Sequence, residues 1–495
     1  MTAESDFGTV AAMRGVQERR DGAVRLAMLL GGTVFVLMML LGLVMRLAQG
    51  GLVEIDAALF YRIMTAHGAG MVGTATLTGA TILWFFTNRH VPLLAGVFWA
   101  FLGLFLLGVV FILAAIFVGG YGGAWTFLYP LPAMSGGFWQ PSAAALFLLG
   151  YVSIGVGFLL LHLEVARKLI AAYGGIGGAL AWPLAFGRGR PEDAPPAGVV
   201  AAMASTIFNV LGIVVGAAVL VASIVNLLVP GFTVDALLAK NMIYFFGHVF
   251  INAAIYMGVI AVYEIIPEYT GRPWKTTRAF AIAWTVIMLF TLSVYPHHLM
   301  QDLAMPAWTL VMGQLVSYFS GIPLIAVTAF SLLVYIRGAD MRWDLASALL
   351  VLGVAGWSVG TVPAIIDGMI VVNKVMHNTQ WVPGHFHTYL LLGEVAMAFG
   401  FMAWLTRAPA AQERPGAARL TGADRLLFLT YAVGGTGFVL VFLVAGALSV
   451  PRRWAVHATQ WMPLAQAASV FAALVILAVT VFVLRYLSGL IRQRS

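Results

Sequence analysis

Twelve long apolar stretches run through the sequence, and they constrain its fold more than any other feature. A helix that crosses a bilayer needs about 20 apolar residues, and each stretch is about that long or longer. We place the predicted spans 1 to 12 at residues 24–48, 58–85, 92–118, 141–163, 199–228, 240–266, 276–300, 308–336, 345–372, 383–407, 424–450 and 459–487. Only 9% of the residues are charged and 61% are hydrophobic, a balance typical of a polytopic membrane protein. The sequence therefore predicts an all-α fold of twelve transmembrane helices.

Lysine and arginine are distributed unequally between the two ends of these spans. If the N-terminus is cytoplasmic, 21 of the 27 Lys and Arg residues lie on the cytoplasmic side. This asymmetry is the positive-inside signature, so the net charge of +8 reports orientation and does not indicate nucleic-acid binding. We predict cytoplasmic tails at residues 1–23 and 488–495 and a single membrane domain at 24–487. The connections at 164–198 and 408–419 are predicted to be Pro/Gly-rich linkers.

The sequence contains no cysteine, and this narrows the chemistry of any metal site. The chain itself can hold no disulfide, no iron–sulfur cluster, no thiolate-bound copper and no covalently attached c-type haem. Metal ions bound by this chain must be ligated by histidine, carboxylate or methionine side chains.

We single out six histidines that fall within the predicted spans, where an ionisable side chain is costly and is a functional hypothesis by default. They are His67 near the start of span 2, His248 in span 6, His297 and His298 at the end of span 7, and His385 and His387 at the start of span 10. Spans 2, 6 and 10 begin on the outer side and span 7 ends there, so all six lie at one depth. This shared depth favours a layer of cofactor ligands over independent buried histidines.

The spacing of the histidines divides them into groups. At about 100° per residue, His385 and His387 point about 200° apart, so they cannot bind one metal ion but can bind two groups on either side of their helix. The adjacent pair of span 7, together with His248, could form a three-imidazole site that suits copper or zinc. His67 and one histidine of span 10 remain as the axial ligands of a six-coordinate haem, and the other as the ligand of a five-coordinate haem. The alternative for the adjacent pair alone is an interfacial polar pair.

This arrangement resembles the catalytic subunit, subunit I, of the haem-copper oxidoreductases, which include the respiratory oxygen reductases and their nitric oxide reductase relatives. The resemblance covers nearly the whole chain, and HNTQWVPGHFH at 377–387 looks most like the B-type branch. The ligands that the resemblance implies are His67 and His387 for a low-spin haem, His385 for a high-spin haem, and His248, His297 and His298 for the copper ion CuB.

The resemblance also implies cofactors and partners. Two haems, a low-spin b-type haem and a high-spin haem, and one copper ion are expected. A small membrane-anchored protein similar to subunit II would pass electrons in from a cytochrome c or a small copper protein. Arg452 and Arg453 in PRRW lie on the histidine side and would pair with haem propionates; the alternative is ordinary loop charge. We expect the protein in the inner (plasma) membrane of a bacterium or archaeon.

The chain departs from the family pattern at a position that bears on the substrate. Common oxygen reductases carry a tyrosine four residues after the span 6 histidine, or a substitute six residues before the histidine pair, and these positions hold Asn252 and Thr291. One-step cleavage of O₂ takes four electrons, one of them from the tyrosine, whereas coupling two NO molecules takes two, which iron and copper supply. The departure favours NO reduction, as in the sNOR-like relatives. O₂ reduction to water with proton translocation is the alternative, if Tyr256 or Tyr295 reaches the pocket.

Two further expectations concern protons and other metals. The polar residues Tyr263, Ser317, Ser320 and Thr328 on spans 6 and 8 resemble parts of the proton channel of B-type enzymes. The alternative is that the hydroxyls bond only to carbonyls of their own helices. A non-haem iron would need a nearby glutamate, and Glu264 lies about four turns beyond His248, which favours copper. A metal or proton transporter would show broken helices and internal symmetry, and the sequence indicates neither.

Overall fold

The computed structural model describes residues 3–341, 343–407 and 419–493, with side chains from Gly22 onward. Twelve of its helices are long and apolar enough to cross a membrane, which confirms the predicted fold class. Spans 1 to 12 are Gly22–Gln49, Ala57–His90, Ala95–Val118, Pro141–Ala172, Ala197–Leu228, Ala236–Thr270, Arg278–Leu299, Ala307–Arg337, Leu345–Asp367, Trp381–Leu405, Gly422–Ala447 and Thr459–Arg492. The backbone of span 1 continues as helix from Ala3. Side chains 1–21, most of the linker at 408–419 and the last two residues lie outside the described residues.

Several helices end at a different residue from the apolar stretch that predicted them. Span 4 continues nine residues past the predicted end, and Glu164 pairs with Arg167 at 2.7 Å on this extension. Span 9 ends early, at Asp367, and a separate short helix, Ile370–Met376, follows. The side chain of Asn373 donates to the carbonyl of Asp367 at 2.8 Å, which satisfies a helix-terminal acceptor. Hydropathy thus marks where the chain is apolar and not where the helix ends.

Aspartates fix the outer starts of two histidine-bearing helices. The carboxylate of Asp56 accepts a hydrogen bond from the amide of Leu59 at 2.9 Å, at the start of span 2. Asp235 accepts from the amide of Leu238 at 2.7 Å, at the start of span 6. Each cap satisfies an amide that has no partner within its helix. The caps therefore set the register from which His67 and His248 are counted.

Spans 2, 6 and 10 are the central helices of the fold. Within their most apolar windows, 78%, 83% and 89% of the residues are buried, against 17% to 50% for the other nine spans. Span 6 packs against spans 2 and 5, and span 10 packs between spans 9 and 11. Four of the six histidines singled out above are on these three helices.

Glycines allow these three helices to approach one another, and they also allow span 9 to approach span 10. A Cβ atom on Gly79 of span 2 would lie 2.8 Å from the carbonyl oxygen of Ala254 on span 6. A Cβ atom on Gly356 of span 9 would lie 2.5 Å from the Cβ of Leu392 on span 10. Both separations are too short for a side chain. Leu392 lies within a π-helical turn, Leu390–Val395, a feature frequent at functional sites.

Candidate metal and cofactor centre

A cavity of about 440 Å³ lies between the outer halves of spans 2, 6 and 10. Spans 1, 7, 8, 9 and 11 also border it. All six histidines predicted as ligands line it. Other sequence-predicted residues in its wall are Asn252, Tyr256, Ser317, Ser320, Arg452 and Arg453. The structure therefore brings together, around one space, residues that are up to 386 positions apart in the sequence.

Three of these histidines form the only group of three or more His, Asp or Glu residues in the described part of the chain whose geometry could hold a metal ion. One ring nitrogen from each of His248, His297 and His298 lies within 4.8 Å of the other two. Span 7 ends in a 3₁₀ turn, Tyr295–Leu299, which lets two consecutive histidines point to the same side of the chain. The group is partly buried and lies at the cavity wall.

Hydrogen bonds fix the proton positions on His297. The hydroxyl of Ser317 donates to the carbonyl of Gly313 at 2.7 Å. It must therefore accept from Nδ1–H of His297, which lies 2.7 Å away. The proton on Nδ1 leaves Nε2 with a free lone pair, as a metal ligand requires.

The ring of His248 is held between a neighbouring histidine and Asn252. The Nδ2 atom of Asn252 donates to Nε2 of His248 at 3.0 Å and to the carbonyl of His248 at 2.8 Å. The proton of the ring is then on Nδ1, which donates to Nε2 of His298 at 3.0 Å. A copper ion fits if it takes the place of this proton and the amide of Asn252 turns its oxygen toward Nε2–H. Three neutral imidazoles are ligands that suit copper.

His67 and His387 face each other across the cavity with nearly parallel rings. Their ring centroids are 6.4 Å apart and the planes differ by 19°. This separation matches two metal–nitrogen bonds of about 2 Å each plus the two ring radii. Nδ1 of His67 donates to the carbonyl of Met38 at 2.7 Å, and Nδ1 of His387 to that of Pro383 at 2.6 Å. Each Nε2 is therefore left as a lone-pair donor, and the pair fits a six-coordinate haem iron.

His385 lies on a different side of span 10 from His387. Its ring packs edge-on against Tyr389 at 5.1 Å, whereas the ring of His387 stacks on Phe442 at 5.4 Å. Both histidines line the cavity, and the helix backbone separates them. His385 has no second histidine paired with it as His387 has, so it fits a five-coordinate haem iron.

Positive charge gathers at the outer mouth of the cavity, on the loop between spans 11 and 12. This loop runs antiparallel to residues 378–380: the amide of Gln380 donates to the carbonyl of Val450 at 2.9 Å, and that of Arg452 to the carbonyl of Asn378 at 3.0 Å. Burial, and then Arg453, lowers the pKa of Arg452 to about 10. Arg452 keeps its charge at neutral pH, and both guanidinium groups fit the carboxylates of haem propionates.

A neutral histidine lies beside this arginine pair. Burial, and then the charges of Arg452 and Arg453, lower the pKa of His377 to about 4. His377 therefore adds no positive charge at neutral pH and can accept or donate one hydrogen bond at each ring nitrogen.

Arg46, Gln380 and His457 form a polar group at the outer end of span 1 that was not predicted from the sequence. Nη1 of Arg46 donates to Oε1 of Gln380 at 3.3 Å, and its guanidinium lies 4.7 Å from the ring centre of Phe442. His457 lies 3.4 Å from Gln380, and burial, then Arg46, lowers its pKa to about 4. A charged residue within an apolar stretch was the available signal for Arg46. Nothing in the local pattern marked His457.

Some predicted residues lie away from the cavity. The hydroxyl of Tyr295 donates to Oδ1 of Asn241 at 3.1 Å, and Tyr295 is not in the cavity wall. Tyr263 and Thr328 lie deeper, with their hydroxyl oxygens 2.6 Å apart. Glu264 is 3.0 Å from Nε2 of His90 near the inner ends of spans 2 and 6.

The chain is similar to known proteins over most of its length. Residues 22–474 match the model of the family described as cytochrome c and quinol oxidase polypeptide I. Cytochrome c oxidase subunit 1 of Thermus thermophilus is 27% identical over 242 residues, which are 44% of this chain and 41% of that protein. The heme-copper oxidase subunit I+III of Aeropyrum pernix is 25% identical over 236 residues, which are 47% of this chain and 27% of that protein. The matches thus span less than half the length of these relatives.

The fold has a solved counterpart. A heme-copper terminal oxidase dimer determined by cryo-electron microscopy superimposes with a TM-score of 0.75, over 96% of this chain and 84% of that one. The two sequences are 20% identical, so this match supports the fold alone.

Proposed function

This chain belongs to the cytochrome c and quinol oxidase polypeptide I family, and we propose that it is the catalytic subunit of a respiratory haem-copper terminal oxidase. The observation that carries the proposal is the pair of histidine arrangements around one cavity. One is a cluster of three ring nitrogens, and the other is a facing pair whose separation suits an iron atom. The two types of site are what an electron carrier and a reactive metal pair require.

The proposed ligands are those that the sequence resemblance implies: His67 and His387 for a low-spin b-type haem, His385 for a high-spin haem, and His248, His297 and His298 for copper. When bound, the two haems carry electrons inward, and the high-spin haem with copper binds the gas. The protein holds the imidazoles of His67, His387 and His297 in one tautomer each, through carbonyl and hydroxyl acceptors. These bonds place the lone pairs before the metal arrives.

Electrons are proposed to arrive from the outer side. The loop with Arg452 and Arg453 covers the cavity mouth there, and its charges suit propionates or an acidic partner surface. The sequence has no cysteine, so a dinuclear copper centre or a c-type haem must lie on another chain. We propose a small membrane-anchored partner of the subunit II kind, with cytochrome c or a small copper protein as the donor. Both termini of this chain are then cytoplasmic, in the inner (plasma) membrane of a bacterium or archaeon.

O₂ is the substrate that the comparisons favour, since the relative from Thermus thermophilus is named a cytochrome c oxidase subunit. Tyr256 supports it from within the cavity. It lies one turn beyond Asn252 on span 6, lines the cavity, and has its hydroxyl 3.4 Å from that of Thr291. A phenol at this place can supply the one electron and one proton that iron and copper do not.

NO is the second candidate, and one observation favours it. Asn252 occupies the position of the family's usual tyrosine and contacts the ring of His248 directly. An amide cannot give up an electron as a phenol does. Coupling two NO to N₂O and water consumes two electrons and two protons, so it needs no such group. Asn252 also supports an sNOR-like place near the B-type branch.

Protons are proposed to reach the cavity from the cytoplasmic side along spans 6 and 8. Tyr263 and Thr328 form one hydrogen-bonded pair, and Ser317 contacts His297 at the cavity itself. Ser320 lines the cavity near the same helix. Hydroxyl groups in such a row can accept and donate a proton in turn.

The first experiment concerns cofactor content and gas turnover of the complex purified from its native membrane. We expect two haems and one copper per chain, and CO binding to one haem only. O₂ turnover is expected in the wild type, with a loss of at least about tenfold in Tyr256→Phe because a step-limiting electron donor is removed. Tyr295→Phe is the matched control, since its hydroxyl bonds to Asn241 outside the cavity.

Two results would change the proposal. A natively expressed protein that contains no haem contradicts it altogether. NO turnover that survives Tyr256→Phe, with no O₂ turnover in the wild type or in Asn252→Tyr, assigns the chain to NO reduction.

A further inference from the structure

Glu394 is a buried acid that the proposed catalytic centre does not use. It lies in the π-helical turn of span 10 and is 0% exposed. Neither of its carboxyl oxygens has a hydrogen-bond partner among the described residues. An unpaired carboxylate in an apolar interior is costly, so an ionisable residue at this depth of a membrane protein points to a function.

Two glycines on neighbouring helices make the space for this carboxyl group. A Cβ atom on Gly258 of span 6 would lie 2.0 Å from Oε2 of Glu394, and one on Gly79 of span 2 would lie 3.3 Å from Oε1. Any larger residue at 258 would displace the acid. Glu394 is therefore seated in a fitted site where spans 2, 6 and 10 meet.

No charged side chain within the described part of the chain forms a hydrogen bond with Glu394. Several titratable side chains of the helices packed against this turn form hydrogen bonds with other groups. They are His67 and His90 on span 2, Tyr256, Tyr263, Glu264 and Glu268 on span 6, Asp367 on span 9, His387 on span 10 and Tyr431 on span 11. A proton is the simplest ligand that neutralises such a carboxylate.

A line of buried polar side chains leads toward this site from the cytoplasmic half of span 4. Nδ1 of His162 lies 3.3 Å from the hydroxyl of Thr206 on span 5. One turn further along span 5, Nδ2 of Asn209 donates to the sulfur of Met257 at 3.7 Å. Nε2 of His162 and Oδ1 of Asn209 have no partner among the described residues. The line thus carries spare donor and acceptor capacity in the membrane interior.

Met257 connects this line to the acid. It precedes Gly258, and its Cβ lies 3.2 Å from the Cβ position of Gly79, which also faces Oε1 of Glu394. The polar line therefore approaches the carboxyl group from the side on which the distribution of Lys and Arg places the cytoplasm. It is separate from the Tyr263 route on spans 6 and 8.

The position of Glu394 along span 10 relates it to the low-spin haem. It follows His387 by seven residues, which is about 10 Å along the helix axis. Two unit charges at about this distance, in an effective dielectric of about 20, change each other's binding equilibrium roughly tenfold. An added electron on one group therefore favours an added proton on the other.

We propose that Glu394 is a proton-binding site coupled to the charge of the haem that His67 and His387 hold. The proposal rests on the proposed function, which supplies that haem and its electrons. While the haem is oxidised, its positive charge favours the ionised carboxylate. As one electron arrives from the external donor, the carboxylate binds one proton from the cytoplasmic side, and the net charge of the region is unchanged. As the electron moves on to the second haem, the O–H bond breaks, its electron pair stays on the carboxylate, and the proton returns to the polar line of His162 and Asn209.

Infrared difference spectroscopy of the purified complex, reduced minus oxidised, tests the proton on Glu394. We expect a carbonyl-stretching band of a protonated carboxylic acid that changes on reduction and shifts in D₂O. The band should be absent in Glu394→Gln. Glu268→Gln is the matched control: Glu268 pairs with Trp404 and Arg407 at 2.9 and 3.0 Å, so its replacement should leave the band in place.

Redox titration of the low-spin haem tests the coupling. A tenfold coupling equals about 59 mV for one electron, so the midpoint potential should vary with pH by about that much in total. Glu394→Gln should lose this part of the pH dependence, and Glu268→Gln should keep it. If Glu394→Gln does not fold, the double variant Glu394→Ala with Gly258→Ala replaces it, because the added methyl group fills the vacated space.

The outcomes separate the two proposals. Two normal haems, with a carboxylic acid band and a pH-dependent potential that Glu394→Gln leaves unchanged, contradict the role of Glu394 alone. A wild-type protein without two distinct haems contradicts the proposed function and the role of Glu394 together.

Discussion

The outer and inner halves of spans 2, 6 and 10 are built differently although they belong to the same three helices. In the outer half the helices border a cavity of about 440 Å³ lined by imidazoles. In the inner half they touch through glycines, and the carboxyl group of Glu394 lies at that contact. The outer half is shaped for groups that the polypeptide does not supply, and the inner half is closed by the polypeptide itself.

Two glycines of span 6 show the difference on a single helix. Gly247, beside His248, has nothing within 4 Å of where a Cβ would be, because it faces the cavity. Gly258, eleven residues further along, would place a Cβ 2.0 Å from Glu394. Glycine thus borders open space in one half and allows close contact between helices in the other.

The largest expected effect is at the facing histidine pair. His387→Ala should abolish binding of the low-spin haem and reduce turnover to the detection limit, because no other described imidazole is placed to replace it. Haem content and the reduced-minus-oxidised spectrum measure this. His90→Ala is the control, since His90 lies on span 2 beside Glu264 and away from the cavity. Normal low-spin haem in His387→Ala would contradict the assignment of the outer half.

The next effect concerns the inner half. Gly258→Ala should destabilise the protein by about 1–3 kcal/mol, since overpacking forces neighbours to move. Adding Glu394→Ala should restore stability. Thermal unfolding in detergent measures both, with cofactor-free protein so that only the chain is compared.

Gly247→Ala is the matched control for that experiment and should leave the cofactor-free protein unchanged. If Gly247→Ala were as destabilising as Gly258→Ala, the two halves would not differ as described.

A smaller effect is expected at the bond that fixes the tautomer of His297. Ser317→Ala removes the acceptor of its Nδ1–H, 2.7 Å away. Loss of such a supporting bond typically reduces metal affinity 10–100-fold. Copper content after dialysis against a graded chelator measures this, and Ser320→Ala, a cavity residue with no recorded bond to a ligand, serves as the control. Equal copper retention in both variants would mean that Ser317 does not orient the ring.

The smallest effect is expected at an ion pair on the outer margin. Lys240 and Asp302 bond directly, and the lysine lowers the pKa of Asp302 below its ordinary value of 3.8. A lowered carboxyl pKa adds stability above the ordinary pKa, and this stability is lost as pH falls through the lowered one. Asp302→Asn should cost about 1 kcal/mol at neutral pH, and the effect should disappear at an acidic pH below the lowered pKa of Asp302. Thermal unfolding at both pH values measures this, with exposed Glu54→Gln as the control.

The sequence predicted the class of fold and the depth of the histidines because both follow from hydropathy and chain direction. It did not predict what holds each ring, since Met38 and Ser317 reach His67 and His297 through contacts between different helices. Tyr295 shows the same limit: its spacing from the histidine pair suggested the pocket, but the 3₁₀ turn directs it to Asn241.

Glu394 was not among the residues predicted from the sequence, although an acid within a predicted span is a signal that the sequence provides. Its lack of partners and its glycine contacts required the structure. The premature end of span 9 at Asp367 also could not be read from an apolar run that continues past it.

The antiparallel contact between residues 378–380 and the loop of Arg452 has a consequence for the order of assembly. The wall that covers the cavity mouth comes from chain that is synthesised after all six histidines. Until spans 11 and 12 have entered the membrane, the histidine layer is open on that side. We therefore expect an interval during biosynthesis in which the proposed haems could enter from the side before the last two helices close the mouth.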